Sequence, residues 1–143
     1  MAAFPEVHPE SDSLEHDARV LALKQAAGAS YAMTQLFFGV EHYNEMLAAG
    51  ADAGVNIPIV PGLMPVSNAK QLLRMAAMSG AAVPAELASQ LETADEATGR
   101  RIGMDFTIQL GRDLLAAGAP GLHIFTLNKS EAALELAAGV GLI

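Results

Sequence analysis

Four short segments hold most of the residues able to do chemistry: Pro5-Glu6-Val7-His8-Pro9-Glu10, Thr34-Gln35, Pro61 to Asn68, and Thr126-Leu127-Asn128-Lys129. Each closes or follows an apolar run. Imidazole, amide, hydroxyl and ammonium groups of this kind can hydrogen-bond a polar ligand. His8 lies on a loop between prolines, and solvation is the plainer reading of a lone loop histidine. Gln35 sits inside an apolar run, where its amide must find partners. A structural partner and a ligand serve that need equally well. Asn68 and Asn128 read as helix caps. Lys129 at a helix start opposes the macrodipole, which suits it to facing an anion. Asp17 and Lys24 stand two helical turns apart on one face, and a solvated face is the simpler reading. Gln71 and Met75 are also in register on one face, and Met75 by itself reads as core.

Other chemistries lack their residues. There is no GxGxxG, P-loop, HExxH or GxSxG motif. The four histidines, His8, His16, His42 and His123, show no metal-ligand spacing, so no metal is expected. Zero cysteines exclude a disulfide framework and any thiolate-held metal. No carboxylate pair stands out as catalytic.

The elements that must position these groups alternate along the chain. Residues 1–5 read as the end of a strand. Leu14 to Ala27 reads as a helix, with Gly28 at its end. Tyr31 to Phe38 reads as a strand, and Glu41 to Ala49 as a short helix closed by Gly50. Ile57 to Val60 reads as a third strand, stopped by Pro61-Gly62. Asn68 caps a helix over Ala69 to Ser79, and Pro84 opens a short helix. Asp95 to Ala117 reads as a longer helix, and Gly121 to Phe125 as a fourth strand. Asn128 and Glu131 form a candidate capping box for a last helix, Lys129 to Ala138. The order β-α-β-α-β-α-α-β-α implies a parallel sheet with right-handed crossovers. Ligands of such sheets bind at the carboxyl ends of the strands, where the four segments fall.

Composition sets the outer bounds. The chain has 143 residues, 52% hydrophobic and 17% charged, which excludes intrinsic disorder. Eight basic residues face 16 acidic ones, a net charge of −8 that disfavours nucleic acid and anionic membranes as partners. No long apolar run and no basic leader suggest a membrane span or signal peptide. A cytoplasmic location is the expectation.

The four strand-end segments, in this order and spacing, resemble the methylenetetrahydrofolate reductase family of bacterial type. The segments are Ala3 to Glu10, Thr34 to Phe38, Pro61 to Asn68 and Phe125 to Asn128. The resemblance covers essentially residues 1–143 and points to the C-terminal half of the barrel. It implies an α/β fold of the (β/α)8 TIM-barrel family, here the last four βα units as a half barrel. It further implies reduction of 5,10-methylenetetrahydrofolate to 5-methyltetrahydrofolate, with FAD as cofactor and NADH or NADPH as co-substrate. By the resemblance, Phe4, His8, Ser11, Asp17 and Lys24 contact FAD, which replaces the solvated reading of Asp17 and Lys24. Gln35, Gln71, Met75 and Lys129 contact folate, Gln35 also meeting the nicotinamide. The family often carries Tyr at Phe4, a larger aromatic at Met75 and Arg at Lys129. Val20 and Leu23 stand where some members are polar. The family's general-acid glutamate belongs to the N-terminal half, so no catalytic residue is expected in this chain. A fragment inactive alone, a homo-oligomer or a complementing N-terminal half is the corresponding expectation. A noncatalytic FAD- or folate-binding half barrel, or a nonfunctional truncated product, is the alternative. Met1 falling inside the first strand fits a shortened reading frame.

Overall fold

A computed structural model describes every residue from Met1 to Ile143. Four parallel strands, β1 (Ala2–Ala3), β2 (Ala32–Leu36), β3 (Ile59–Leu63) and β4 (His123–Ile124), pair in chain order. Six helices connect and follow them: α1 (Leu14–Ala26), α2 (Val40–Asp52), α3 (Ala69–Ser79), α4 (Ala85–Thr93), α5 (Glu96–Ala116) and α6 (Ser130–Gly139). Sequential parallel order with a helical crossover at each step is the arrangement of a partial barrel. β1 and β4 are the sheet's two edges.

Two apolar clusters hold the layers together. The larger joins Ala3, Ala32, Ile59 and Leu63 of the strands to Leu21, Tyr43, Met46, Leu110, Leu114 and Leu136 of the helices. The smaller lies at the carboxyl ends of β2 and β3. There Leu36, Phe38, Met64 and Val66 meet Leu72 and Ala76 of α3 and Leu87 and Leu91 of α4. This second cluster fixes the β3–α3 loop, and with it one wall of the site described below.

Local signals explain most boundaries. The Ser13, Asn68 and Asp95 side chains accept hydrogen bonds from the N–H groups of His16, Gln71 and Thr98, capping α1, α3 and α5. Three expectations are corrected. Gly50 does not close α2, which runs on to Asp52. Tyr43, Met46 and Gly50 form its buried stripe, and the left-handed residue after the helix is Gly54, at φ +84°. Pro61-Gly62 does not stop β3. The strand continues to Leu63 because Gly62 and Leu63 pair with His123 and Ile124 of β4. Asn128 and Glu131 form no capping box. Leu127 and Asn128 both take positive φ, 49° and 62°, and α6 begins at Ser130 after an uncapped Lys129.

Candidate functional site

The loop after β1 is built around one carboxylate. Asp17, on the first turns of α1, accepts from the His8 N–H at 2.8 Å and from the Ser11 hydroxyl. His8 Nδ1 accepts in turn from the Glu10 N–H at 3.1 Å. The imidazole is perpendicular to the Phe4 ring, with ring centroids 4.4 Å apart. His8 is therefore an ordered, half-buried group and not a freely solvated one. One helical face up from Asp17, Lys24 Nζ reaches the Ala2 carbonyl at 3.3 Å.

Phe4, His8, Ser11, Asp17 and Lys24 all line a single pocket of about 180 Å3. Its remaining wall is apolar, from Leu14, Val20, Leu21 and Met46. That volume is below the roughly 300–1,000 Å3 of pockets that enclose drug-sized ligands. It admits part of a dinucleotide rather than the whole. The groups present fit such a part: an ammonium that can donate, the Ser11 hydroxyl oxygen that can still accept, and an aromatic ring, around an apolar wall. Both Asp17 oxygens are already engaged, so Asp17 holds the loop and Lys24 is the pocket's sole cation.

A second pocket, of about 500 Å3, lies between the carboxyl ends of β3 and β4 and the face of α3. Gln71, Met75 and Lys129 line it, together with Phe125. The Gln71 amide draws the β3–α3 loop together. Its oxygen accepts from the Ser67 N–H at 2.8 Å and the Ser67 hydroxyl at 2.6 Å, and its nitrogen donates to the Pro65 carbonyl at 3.3 Å. Met75 packs against the second apolar cluster from its edge. Phe125 rests directly over Gly62, where a Cβ would stand 2.7 Å from the ring. Gln35 lines neither pocket. Its amide oxygen accepts from the Leu36 N–H at 2.9 Å, at an irregularity in the β2–β3 register.

Three residues escaped the sequence reading. Lys70 and Arg74 line the second pocket beside Gln71 and Met75. Their four-residue spacing on the same helix was the available signal. Glu6 ties the first loop to the α3–α4 connection by accepting from the Ala82 N–H at 2.9 Å. Its other oxygen is buried without a partner. No group of three or more His, Asp or Glu side chains is gathered as a metal site, and no helix is long and apolar enough to cross a membrane.

Fold and site together define a parallel α/β unit with two pockets at the carboxyl ends of its strands. Residues 1–141 match the family model for methylenetetrahydrofolate reductase, and the chain belongs to that family. It is 37% identical over 133 residues to 5,10-methylenetetrahydrofolate reductase of Escherichia coli, covering 92% of this chain and 45% of the relative. It is 36% identical over 155 aligned positions to methylenetetrahydrofolate reductase (NADH) 1 of Arabidopsis thaliana, covering 100% of this chain and 26% of the relative. The chain thus spans less than half the length of these relatives. Among solved structures, an uncharacterized Clostridium thermocellum protein superposes with a TM-score of 0.65 at 21% identity. The match covers 99% of this chain and 52% of that one. That protein is described as binding two copies of 5-methyl-5,6,7,8-tetrahydrofolic acid.

Proposed function

We propose that residues 1–143 are the C-terminal half of a (β/α)8 barrel that reduces 5,10-methylenetetrahydrofolate to 5-methyltetrahydrofolate, in a cytoplasmic setting. In this reading Phe4, His8, Ser11, Asp17 and Lys24 hold FAD. Gln35, Gln71, Met75 and Lys129 hold folate, and Gln35 also meets NADH or NADPH. The observation that carries the reading is convergence. Five residues scattered from Phe4 to Lys24 line one pocket, and three from Gln71 to Lys129 line another.

FAD, when bound, supplies the redox chemistry, passing a hydride from NAD(P)H to the folate. The chain's own residues bind and orient. Lys24 offers an ammonium to a phosphate. Asp17 keeps His8 and Ser11 in place, and Phe4 contributes an aromatic ring. In the second pocket Gln71 sets the loop, and Met75 and Phe125 give an apolar wall. Lys129 offers a charge to a carboxylate as a point contact, without the bidentate fork of arginine. The reductase reaction is proposed for an assembled barrel, through a complementing N-terminal half or self-association, and not for this chain alone. Both edge strands carry unpaired backbone groups that such an assembly would satisfy.

The test is a titration of the purified chain with FAD, followed by flavin fluorescence. Weak, saturable binding that is lost in Lys24→Ala is expected, together with no turnover of methylenetetrahydrofolate. FAD binding unchanged by Lys24→Ala would refute the flavin assignment. Turnover by the isolated chain would refute the half-barrel reading. A second reading, a noncatalytic folate-binding unit, is favoured by the folate bound to the structurally similar Clostridium protein. It predicts folate binding with no response to FAD.

A further inference from the structure

Strand β2 carries one residue more than its neighbour can match. Met33 pairs with Val60 and Leu36 pairs with Gly62, so three steps along β2 answer two along β3. This is a β-bulge, which interrupts the ladder and re-aims a side chain. Two N–H groups at the interruption are met by side chains. The buried Gly62 N–H donates to the Thr34 hydroxyl oxygen at 2.8 Å. The Leu36 N–H donates to the Gln35 amide oxygen at 2.9 Å.

The bulge decides where Gln35 faces. Ala32 and Leu36 are buried in the two apolar clusters, against the helices. Alternation puts Met33 and Gln35 on the other face of the sheet, where both are partly exposed. β2 lies between β1, which borders the first pocket, and β3, whose end borders the second. Gly62, bonded to Thr34, also lies beneath Phe125 of the second pocket. With its oxygen held by Leu36, Gln35 has its NH2 group left for a ligand. A one-residue slip toward a regular ladder would turn Gln35 in among apolar side chains, where an unpartnered amide is costly. The Thr34 hydroxyl opposes that slip by receiving the Gly62 N–H, which would otherwise be buried and unpaired.

We propose that Thr34 is the positioning residue for Gln35: its hydroxyl holds the bulge that presents the Gln35 amide to a ligand on the open face between the two pockets. Thr34 is itself only 3% exposed, so it acts through Gln35 and touches no ligand. The inference rests on the reading of Gln35 as a folate contact.

The experiment is calorimetric titration of the full chain with 5-methyltetrahydrofolate, with folding of each variant checked by circular dichroism. Thr34→Val keeps the shape and removes the hydroxyl, and it should weaken binding about tenfold, the worth of one well-placed hydrogen bond. Thr34→Ser keeps the hydroxyl and should bind within about twofold of wild type. In a Gln35→Ala background, itself weakened, Thr34→Val should cause no further loss, because a residue acting only through Gln35 has nothing left to position. Thr34→Ala takes the place of Thr34→Val if the valine protein does not fold. Wild-type affinity in Thr34→Val would overturn the inference and leave Gln35 as a folate contact. So would an equal loss in Thr34→Ser, or a loss that adds in full to that of Gln35→Ala. Unchanged affinity in Gln35→Ala, or no folate binding by wild type, would overturn the folate reading and the inference with it.

Discussion

Two glycines one turn apart in α5 should respond to alanine with opposite signs. Gly103 faces the β3–α3 loop. A Cβ built there would lie 2.8 Å from the Val66 carbonyl carbon and 2.9 Å from Val66 Cγ1, and closer still to the carbonyl oxygen. Carbon atoms normally approach to about 3.5–4.0 Å. The helix or the loop must therefore retreat by roughly 1 Å. The Thr107 hydroxyl oxygen accepts from the Val66 N–H at 3.3 Å, already long, and a retreat breaks it. Overpacking costs about 1–3 kcal/mol, and an unpaired buried N–H about 1–3 kcal/mol more. Better helix propensity returns about 1 kcal/mol. Gly103→Ala should thus destabilise by about 1–5 kcal/mol, lowering Tm by roughly 3–17 °C for a domain of this size. At Gly99 the same Cβ would meet Ala94 and Leu91 only at 3.8 Å, an ordinary contact. Gly99→Ala should stabilise by up to about 1 kcal/mol. Thermal and urea unfolding followed by circular dichroism measure both. A Gly103→Ala protein as stable as wild type, or a Gly99→Ala protein clearly weaker, would falsify the packing argument.

Two further predictions concern single groups. The buried Tyr43 hydroxyl donates to the Ile59 carbonyl at 2.7 Å, and burial raises its pKa above the ordinary phenol value. Tyr43→Phe should cost about 1–2 kcal/mol in urea unfolding, whereas unchanged stability would show that the bond adds nothing net. The Asp95 carboxylate is held below its usual pKa, first by the Thr98 backbone N–H and then by the Thr98 side chain. A lowered folded-state pKa gives stability that is present above the unfolded value and lost as pH falls through the folded one. The urea midpoint should therefore drop below about pH 4, and Asp95→Asn, which caps without titrating, should flatten that drop. An identical acid profile in the variant would exclude Asp95 as its source.

The element order and the strand-end placement of polar segments were legible because apolar runs, caps and glycines are local signals. What escaped were cases where a distant partner outvotes a local signal. Pro61 and Gly62 look like a stop, but β4 pairs beyond them. Gly50 looks like an end, but it occupies the buried stripe of α2. The pocket lining was partly legible. Asp17 and Lys24 read by themselves as a solvated face, and only the resemblance drew them together with Phe4 and His8. Lys70 and Arg74 went unread because their four-residue spacing marks a shared helix face but not what that face borders. Their meaning depends on a pocket formed by β4, some fifty residues on. Glu6 is similar, since its partner Ala82 is 76 residues away.

The contact of Phe125 with Gly62 carries a consequence for how this site can vary over time. The floor of the second pocket is set by a residue that contributes no atoms to its surface. A methyl at position 62 would press on the Phe125 ring and on the Thr34 carbonyl, each 2.7 Å away. Any substitution there reshapes the pocket through Phe125 while every lining residue stays the same. Position 62 is thus a narrow place in sequence space: lining residues such as Met75 and Lys129 can change without touching it, but the glycine beneath cannot.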